Sequence, residues 1–312
     1  MDRKAVHMKI LLFGANGQVG RELQRSLNPM GELLACDLEQ VDLTDLNAVS
    51  TFIHEYKPSV IVNAAAYTAV DKAESEPERA KIINTDAVSL MANEAKKLNA
   101  WLIHYSTDYI FDGTKATNKA YSEGDTPNPL SVYGATKLKS EESILKSGCK
   151  HLIFRTSWVY AVHGDDFIKT MLRLAKEKNE LRIVADQFGA PTSAELIADI
   201  TALCLHQLLF SEKETDSLIG TYHLTPTGTT NWHEYAKLII TEALNHGASL
   251  KVAAENIHSI TSSEYPLPAK RPLNSRLDCT KICQTFDICL PHWQNDVRRV
   301  IFELTQGRQN ET

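Results

Sequence analysis

A short apolar run, a glycine-rich turn and an amphipathic segment follow one another near the start of the chain. Lys9 to Phe13 is apolar, Gly14 to Gly20 reads GANGQVG, and Gln18 to Leu27 has helical spacing. Glycines permit a tight turn and let backbone N–H groups approach a pyrophosphate, and a helix N-terminus presents free donors to an anion. The GxxGxxG spacing is weak alone, but the strand before it and the helix after it favour dinucleotide binding over a plain strand-helix turn.

The same alternation continues through the first half of the chain. Apolar strand patterns at 33–36, 59–65, 101–106 and 151–155 alternate with helical patterns at 45–56, 78–98 and 132–145. Thr44 is the expected cap of the helix at 45–56. Continuous apolar strands separated by helices are typical of a parallel sheet covered on both faces. The sequence therefore predicts an α/β fold with a Rossmann-type, doubly wound parallel sheet over residues 8–160.

The pattern changes after about residue 160. Shorter elements follow at 167–176, 193–208, 220–224 and 232–244, and the segment 265–277 is proline-rich and irregular. We expect residues 161–312 to form mainly a smaller α/β substrate-binding lobe, from which C-terminal segments can return to the first domain. Residues 1–7 are polar and are expected to be a disordered extension.

Composition argues against several classes of protein. The chain has 312 residues and a formal net charge of -6, whereas nucleic-acid binding needs clustered cations. No stretch of about 18 apolar residues predicts a membrane-spanning helix. Cys279, Cys283 and Cys289 would need a fourth ligand to bind zinc, and only His292 lies near them. Reduced thiols in a cytoplasmic protein are therefore expected.

Several residues are candidates for binding the cofactor. Asp37 ends the second strand pattern, about where an acidic residue meets the adenosine ribose hydroxyls, so NADH is expected over NADPH. Its alternative role is that of a helix cap or turn residue, and Arg21 and Arg25 could still tolerate a 2′-phosphate. Asp42 and Leu43 could lie beside the adenine. Small side chains at the end of the third strand leave room for the dinucleotide, namely Ala64, Ala65 and Ala66.

A threonine, a tyrosine and a lysine are the candidate catalytic group. Thr107 follows the fourth strand pattern, and Tyr133 and Lys137 are four residues apart on one face of the next helix. Hydride addition to a carbonyl builds negative charge on its oxygen, which an acid must protonate. We expect the Lys137 ammonium to lower the pKa of Tyr133 from about 10 and to bind the nicotinamide ribose. Thr107 would hold the substrate oxygen near Tyr133, the proton donor of a carbonyl reductase.

Motifs along nearly the whole chain from Met8 resemble the extended short-chain dehydrogenase/reductase family. They are FGANGQVG at 13–20, VNAAAYTAVDKAE at 62–74, HYSTDYIFDG at 104–113, VYGATK at 132–137, FRTSWVY at 154–160, DQFGAPT at 186–192 and RPLNSRLD at 271–278. The last three separate sugar-nucleotide reductases from epimerases and dehydratases. The resemblance implies a homodimer that uses NADH or NADPH to reduce the C4 carbonyl of a dTDP-sugar, dTDP-4-dehydro-L-rhamnose, to dTDP-L-rhamnose.

The resemblance also assigns residues. It makes Thr107, Tyr133 and Lys137 catalytic. At the cofactor, with the candidates above, it places Gly17, Gln18, Val19, Asp37, Asp42, Leu43, Ala66, Tyr67, Thr68 and Tyr105, beside the turn glycines Gly14 and Gly20. At the sugar nucleotide it places Thr107, Asp108 and Trp158, although the alternative for Trp158 is core packing.

Two further assignments have structural alternatives. Arg271 could pair with the diphosphate or form a structural salt bridge. The resemblance implies a structural Mg²⁺, which some family members bind at a dimer interface through glutamates, and the matching positions are Glu22, Glu195 and Glu303. The alternative is three solvated glutamates.

Two other functions stay open. Another nucleotide-sugar 4-ketoreductase would share the catalytic residues and differ in the lining of the cleft. A non-catalytic regulatory subunit that binds a dinucleotide is the second alternative, and the intact set of Thr107, Tyr133 and Lys137 argues against it.

Overall fold

A computed structural model describes residues 8–210 and 215–306, so the extension expected at 1–7 lies outside the described residues. The strands are β1 (Lys9–Phe13), β2 (Glu32–Cys36), β3 (Val60–Asn63), β4 (Trp101–Thr107), β5 (Lys150–Thr156), β6 (Val159–Tyr160), β7 (Leu181–Val184), β8 (Phe188–Gly189), β9 (Thr192–Ser193), β10 (Gly220–His223), β11 (Thr230–Asn231) and β12 (Ile257–Ile260). Six of them form one parallel sheet in the order β10-β5-β4-β3-β1-β2.

The helices are α1 (Gln18–Leu27), α2 (Leu46–Tyr56), α3 (Val70–Ala73), α4 (Pro77–Lys81), α5 (Ala87–Leu98), α6 (Val132–Ser147), α7 (Phe167–Glu177), α8 (Ala194–Phe210), α9 (Trp232–Asn245), α10 (Thr280–Phe286) and α11 (Trp293–Gln306). Side chains of α1, α8 and α10 pack on one face of the sheet, and those of α2, α5 and α6 pack on the other. The doubly wound α/β fold is confirmed. No helix of the described chain has the length and apolarity to cross a membrane.

A separate apolar cluster lies outside the two faces of the sheet and is built mainly by α7, α9 and α11. The short strands β7 and β12 pair parallel there, with Leu181 opposite Ile257. In contrast, β10 joins the edge of the main sheet, where Tyr222 pairs with Phe154, and α8 packs on the same face as α1. Segments beyond residue 160 thus return to the first sheet, while the boundary near residue 160 stays a prediction.

Two local expectations need correction. Asp45, not Thr44, caps α2, because its carboxylate accepts the N–H of Ala48 at 3.0 Å. The long helix expected at 78–98 begins at Pro77 and contains one π turn at Ile82–Asp86. The π turn places the Asn84 side chain between α6 and the loop at Tyr67. The side chain donates to Thr136 in α6 and accepts the N–H of Tyr67.

Candidate active site

The glycine turn joins β1 to α1 at the carboxyl end of the sheet. Gly14 has a φ of 81°, and a Cβ there would lie 2.6 Å from the backbone nitrogen of Ala65, so neither its conformation nor its neighbours tolerate a side chain. Gly20 is buried one turn into α1, where a Cβ would collide with the Gly14 carbonyl oxygen. No described side chain caps α1 at Gly17, so its first N–H groups stay available to an anion.

A cleft of about 690 Å³ opens above this turn, between the sheet and the second lobe. It brings together most residues that the sequence predicts for the site, from elements far apart in the chain. These are Gly14, Gly17, Gln18, Val19, Asp37, Ala64, Ala65, Ala66, Thr68, Tyr105, Thr107, Asp108, Tyr133, Lys137 and Trp158. The carboxyl ends of β1, β3, β4 and β5 all meet here, as expected of a doubly wound sheet.

A smaller pocket of about 120 Å³ adjoins the cleft and contains Asp42 and Leu43. Asp37 lines both spaces. Its carboxylate accepts the N–H of Asn16 at 2.8 Å and that of Leu38 at 2.8 Å, so it holds the glycine turn against the end of β2. The side pocket has the position that the sequence predicts for an adenine.

Three residues predicted at the cofactor or the substrate line neither the cleft nor the side pocket. Gly20 is covered by the turn. Tyr67 directs its phenol to Glu76 at 2.9 Å. Arg271 makes two hydrogen bonds to Asp71, of 3.0 and 2.8 Å, which is the structural salt bridge considered as its alternative.

Tyr133 and Lys137 lie on the first two turns of α6, which the Ser131 side chain caps at the N–H of Gly134. The Tyr133 ring is partly exposed in the cleft and packs edge to face on Tyr109, with 6.2 Å between ring centroids. Burial raises the pKa of Tyr133 to about 12, while an interaction with the Thr107 hydroxyl opposes the rise. The phenol is therefore protonated near neutral pH.

The environment of Lys137 differs from the expectation. Its side chain is buried, and Nζ lies 3.1 Å from Nε2 of His104 in β4. Burial lowers the pKa of Lys137 to about 7, and the charge of Glu141 acts in the opposite direction. Burial is the main cause of the raised pKa of Tyr133, and Nζ is directed to the histidine, so the lowering of that pKa by a Lys137 ammonium stays a prediction.

Asp108 follows Thr107 directly and is 2% exposed. Its Oδ1 accepts the Thr107 hydroxyl at 3.0 Å, and its Oδ2 has no partner among the described residues. Burial raises the pKa of this carboxyl group to about 7, and the neighbouring hydroxyl groups of Ser275 and Thr107 oppose the rise. A buried oxygen that lacks a partner beside the catalytic group is available to a hydroxyl group of a ligand.

The second lobe contributes an aromatic wall. Trp158 has a φ of 47° and stacks on Trp232, with 3.6 Å between ring centroids and 14° between planes. Both rings line the cleft. Trp232 begins α9 and lies 74 positions after Trp158 in the chain. No motif in the sequence connects the two tryptophans, so Trp232 was not predicted as a site residue.

Other lining residues were also missed. Some could have been found, because they stand at the carboxyl ends of predicted strands, as do Asn63, Ser106, Thr156 and Ser157. Others come from loops without a motif, as do Gly164 and Asp165.

The three glutamates proposed for Mg²⁺ contact arginines. Glu22 pairs with Arg25 at 3.1 Å, and both Glu195 and Glu303 pair with Arg299. Within residues 8–210 and 215–306, no three His, Cys, Asp or Glu side chains are placed to hold a metal ion. A single chain therefore supplies no magnesium site there.

Comparison with known families and proteins gives consistent matches. The family described as the RmlD substrate binding domain matches residues 8–306. The chain is 48% identical to the dTDP-4-dehydrorhamnose reductase of Shigella flexneri over 301 residues, which cover 95% of this chain and 98% of that protein. With the enzyme of the same description from Burkholderia thailandensis the identity is 43% over 297 residues, covering 95% and 99%.

Solved structures agree. A dTDP-4-dehydrorhamnose reductase from Bacillus anthracis in complex with NADP superimposes with a TM-score of 0.84 at 33% identity, covering 96% of this chain and all of that one. The UDP-glucose 4-epimerase of Thermus thermophilus in complex with NAD, at 18% identity and a TM-score of 0.75, shares the fold.

Proposed function

The chain belongs to the family described as the RmlD substrate binding domain, and on that basis we propose that it reduces the C4 carbonyl of dTDP-4-dehydro-L-rhamnose to dTDP-L-rhamnose with a nicotinamide dinucleotide. It is an oxidoreductase that acts on a CH–OH group. The observation that carries the proposal is the convergence of Thr107, Tyr133 and Lys137 in one cleft with the glycine turn.

The residues of the cleft fit a nicotinamide dinucleotide. The uncapped start of α1 offers N–H donors to a pyrophosphate, and the small side chains of Ala64, Ala65 and Ala66 leave the floor of the cleft open. The adjoining pocket at Asp42 and Leu43 suits an adenine ring. When bound, the cofactor supplies the hydride for the carbonyl carbon.

The chain's own residues then manage the charge on the carbonyl oxygen. Tyr133 keeps its proton near neutral pH and gives it to this oxygen as negative charge develops there. The Thr107 hydroxyl, which donates to Asp108 Oδ1 without substrate, turns its proton to the same oxygen and orients it. The free Oδ2 of Asp108 can accept a hydroxyl group of the sugar, and Trp158 forms the wall beside it.

We propose that NADH is preferred over NADPH because Asp37 stands between the cleft and the side pocket. A carboxylate there accepts ribose hydroxyls and repels a 2′-phosphate. The relative from Bacillus anthracis, in contrast, was solved in complex with NADP.

The Asp37→Asn variant should narrow the preference for NADH. It removes the negative charge while keeping an oxygen for the N–H of Asn16. We expect the ratio of kcat/KM for NADH to that for NADPH to fall about tenfold, which corresponds to roughly 1.4 kcal/mol. An unchanged ratio, measured at equal substrate concentration, would show that Asp37 does not contact the adenosine ribose.

The function itself is tested by incubating the purified protein with NADH and dTDP-4-dehydro-L-rhamnose. We expect NADH oxidation and an NMR spectrum of dTDP-L-rhamnose. Turnover only with a dTDP-4-keto sugar of other configuration would instead indicate a different 4-ketoreductase. No NADH oxidation with any such sugar, together with a stable complex with another enzyme, would indicate the regulatory subunit.

Three finer proposals rest on the family alone. They are a cytoplasmic location, a homodimer, and a structural Mg²⁺ between two chains through Glu22, Glu195 and Glu303. The Mg²⁺ would have to compete with Arg25 and Arg299 for these carboxylates. The ion would be structural, because hydride transfer with a tyrosine acid does not need a metal ion.

A further inference from the structure

His104 lies in the middle of the sheet and touches the catalytic lysine, although the proposed reaction gives it no task. It is fully buried in β4. Its Nε2 is 3.1 Å from Lys137 Nζ and 3.0 Å from Ser140 Oγ, and its Nδ1 is 3.3 Å from Asn63 Nδ2. A buried histidine with a polar neighbour at both nitrogens has its tautomer fixed by those neighbours.

Asn63 determines which nitrogen of His104 carries the proton. The Oδ1 atom of Asn63 accepts the N–H of Ala65 at 3.1 Å, so the amide NH₂ group must point to the histidine. An NH₂ group can only donate, and Nδ1 of His104 therefore accepts. Burial lowers the pKa of His104 well below its usual value, so the ring is neutral. A neutral ring with a bare Nδ1 carries its single proton on Nε2.

Ser140 is compatible with the same assignment. Its hydroxyl donates to the backbone oxygen of Lys137, one helical turn earlier, so its lone pairs are free to accept. The Nε2–H group of His104 is thus directed to Ser140 Oγ and to Lys137 Nζ. Of these two neighbours, the lysine nitrogen can accept a hydrogen only as an uncharged amine, because an ammonium has no lone pair.

We propose that the Asn63–His104 pair holds Lys137 as an uncharged amine in the protein without cofactor, and that ligand binding in the cleft recruits one proton to it. The proton comes from solvent and converts Lys–NH₂ into Lys–NH₃⁺, with no bond broken elsewhere. His104 is therefore a positioning residue that acts through Lys137. The inference rests on the proposed function only for the identity of the ligand.

The other ionisable groups near Lys137 do not account for its uncharged form. On α6, Glu141 lies one turn beyond Lys137 and favours its charged form, but that carboxylate is already bound by Arg155 from β5 at 2.6 Å. Tyr133 lies one turn before Lys137 and is protonated near neutral pH. The dominant influence on the pKa of Lys137 is burial, which lowers it to about 7.

The direct test is an NMR titration of the protein without cofactor, with lysine ¹³C-labelled at Cε and the Lys137 signal identified by its loss in Lys137→Met. We expect Lys137 to titrate near pH 7 in the wild type, about three units below an ordinary lysine. In His104→Gln, an amide oxygen can turn to Nζ and accept from an ammonium, so the midpoint should rise by about one unit or more. An ordinary midpoint in the wild type would overturn the proposal.

Two further variants separate the tautomer from simple burial. Asn63→Ala keeps the imidazole but frees its tautomer, so the Lys137 midpoint should rise as in His104→Gln. His151→Gln is the matched control, because His151 in β5 is also buried but contacts the Cys149 carbonyl and not Lys137. Its Lys137 midpoint should equal that of the wild type. Unchanged Lys137 midpoints in both His104→Gln and Asn63→Ala, with folding verified by circular dichroism, would show that burial alone lowers the pKa of Lys137 and would overturn the proposal.

Calorimetry of NADH binding supplies a second measurement. In two buffers of different ionisation enthalpy at pH 8, the wild type should take up close to one proton per chain, and His104→Gln should take up clearly less. Equal uptake in both proteins would contradict the proposal. This measurement needs only NADH binding and no reduction of a sugar. A protein that bound NADH but reduced no sugar would contradict the proposed reaction, and its proton uptake would still test the inference.

Discussion

Replacing Tyr133 by phenylalanine is expected to lower kcat by roughly 100- to 10,000-fold while the dissociation constant of NADH stays within about twofold. The variant removes the phenolic hydroxyl, whose pKa of about 12 keeps it protonated near neutral pH, and retains the ring that packs on Tyr109. Steady-state assays of NADH oxidation give kcat, and fluorescence titration with NADH gives the dissociation constant.

Tyr109→Phe is the matched control, because it removes a neighbouring phenol from the same cleft and keeps the edge-to-face pair. We expect it to lower kcat far less than Tyr133→Phe does. Near-normal turnover in Tyr133→Phe would show that the proton comes from another group. The candidate would then be Asp108, whose carboxyl pKa of about 7 leaves it partly protonated at neutral pH.

The features that could be predicted from sequence are those set by local spacing. The turn from Gly14 to Gly20 lies between a strand and a helix, and the four-residue interval between Tyr133 and Lys137 puts both on one face of α6. The alternation of apolar strands and helices likewise predicts a parallel sheet, since continuous apolar strands need cover on both faces. Boundaries differ by one to a few residues because end residues depend on capping, as at Asp45.

The features that could not be predicted depend on pairs distant in the chain. His104 and Lys137 are 33 residues apart, and Asp71 and Arg271 are 200 apart, so nothing local in either segment marks the partner. The placement of β10 at the sheet edge is of the same kind, because its partner β5 lies more than 60 positions earlier in the chain. The contact between His104 and Lys137 and the burial that lowers the pKa of Lys137 follow from this long-range packing, so the sequence did not indicate them.

Behind the site, a buried ion pair joins α6 to β5 and offers the largest expected effect on stability. Arg155 donates to both carboxylate oxygens of Glu141, with bonds of 3.0 and 2.6 Å, and the two side chains are 7% and 2% exposed. The Ser106 hydroxyl also donates to Glu141. The network therefore fixes the strand that carries Thr107 against the helix that carries Lys137.

The Arg155→Met variant should lower the free energy of unfolding by about 3–5 kcal/mol, because it leaves the Glu141 carboxylate buried without a counter-charge. Urea denaturation measures the loss. Adding Glu141→Gln to Arg155→Met removes that charge while an amide oxygen still accepts from Ser106, so the double variant should be more stable than Arg155→Met alone. A double variant no more stable than the single one would mean that the cost arises from lost packing of the arginine. A loss of less than about 1 kcal/mol in Arg155→Met would mean that the pair is solvated and does not hold the site together.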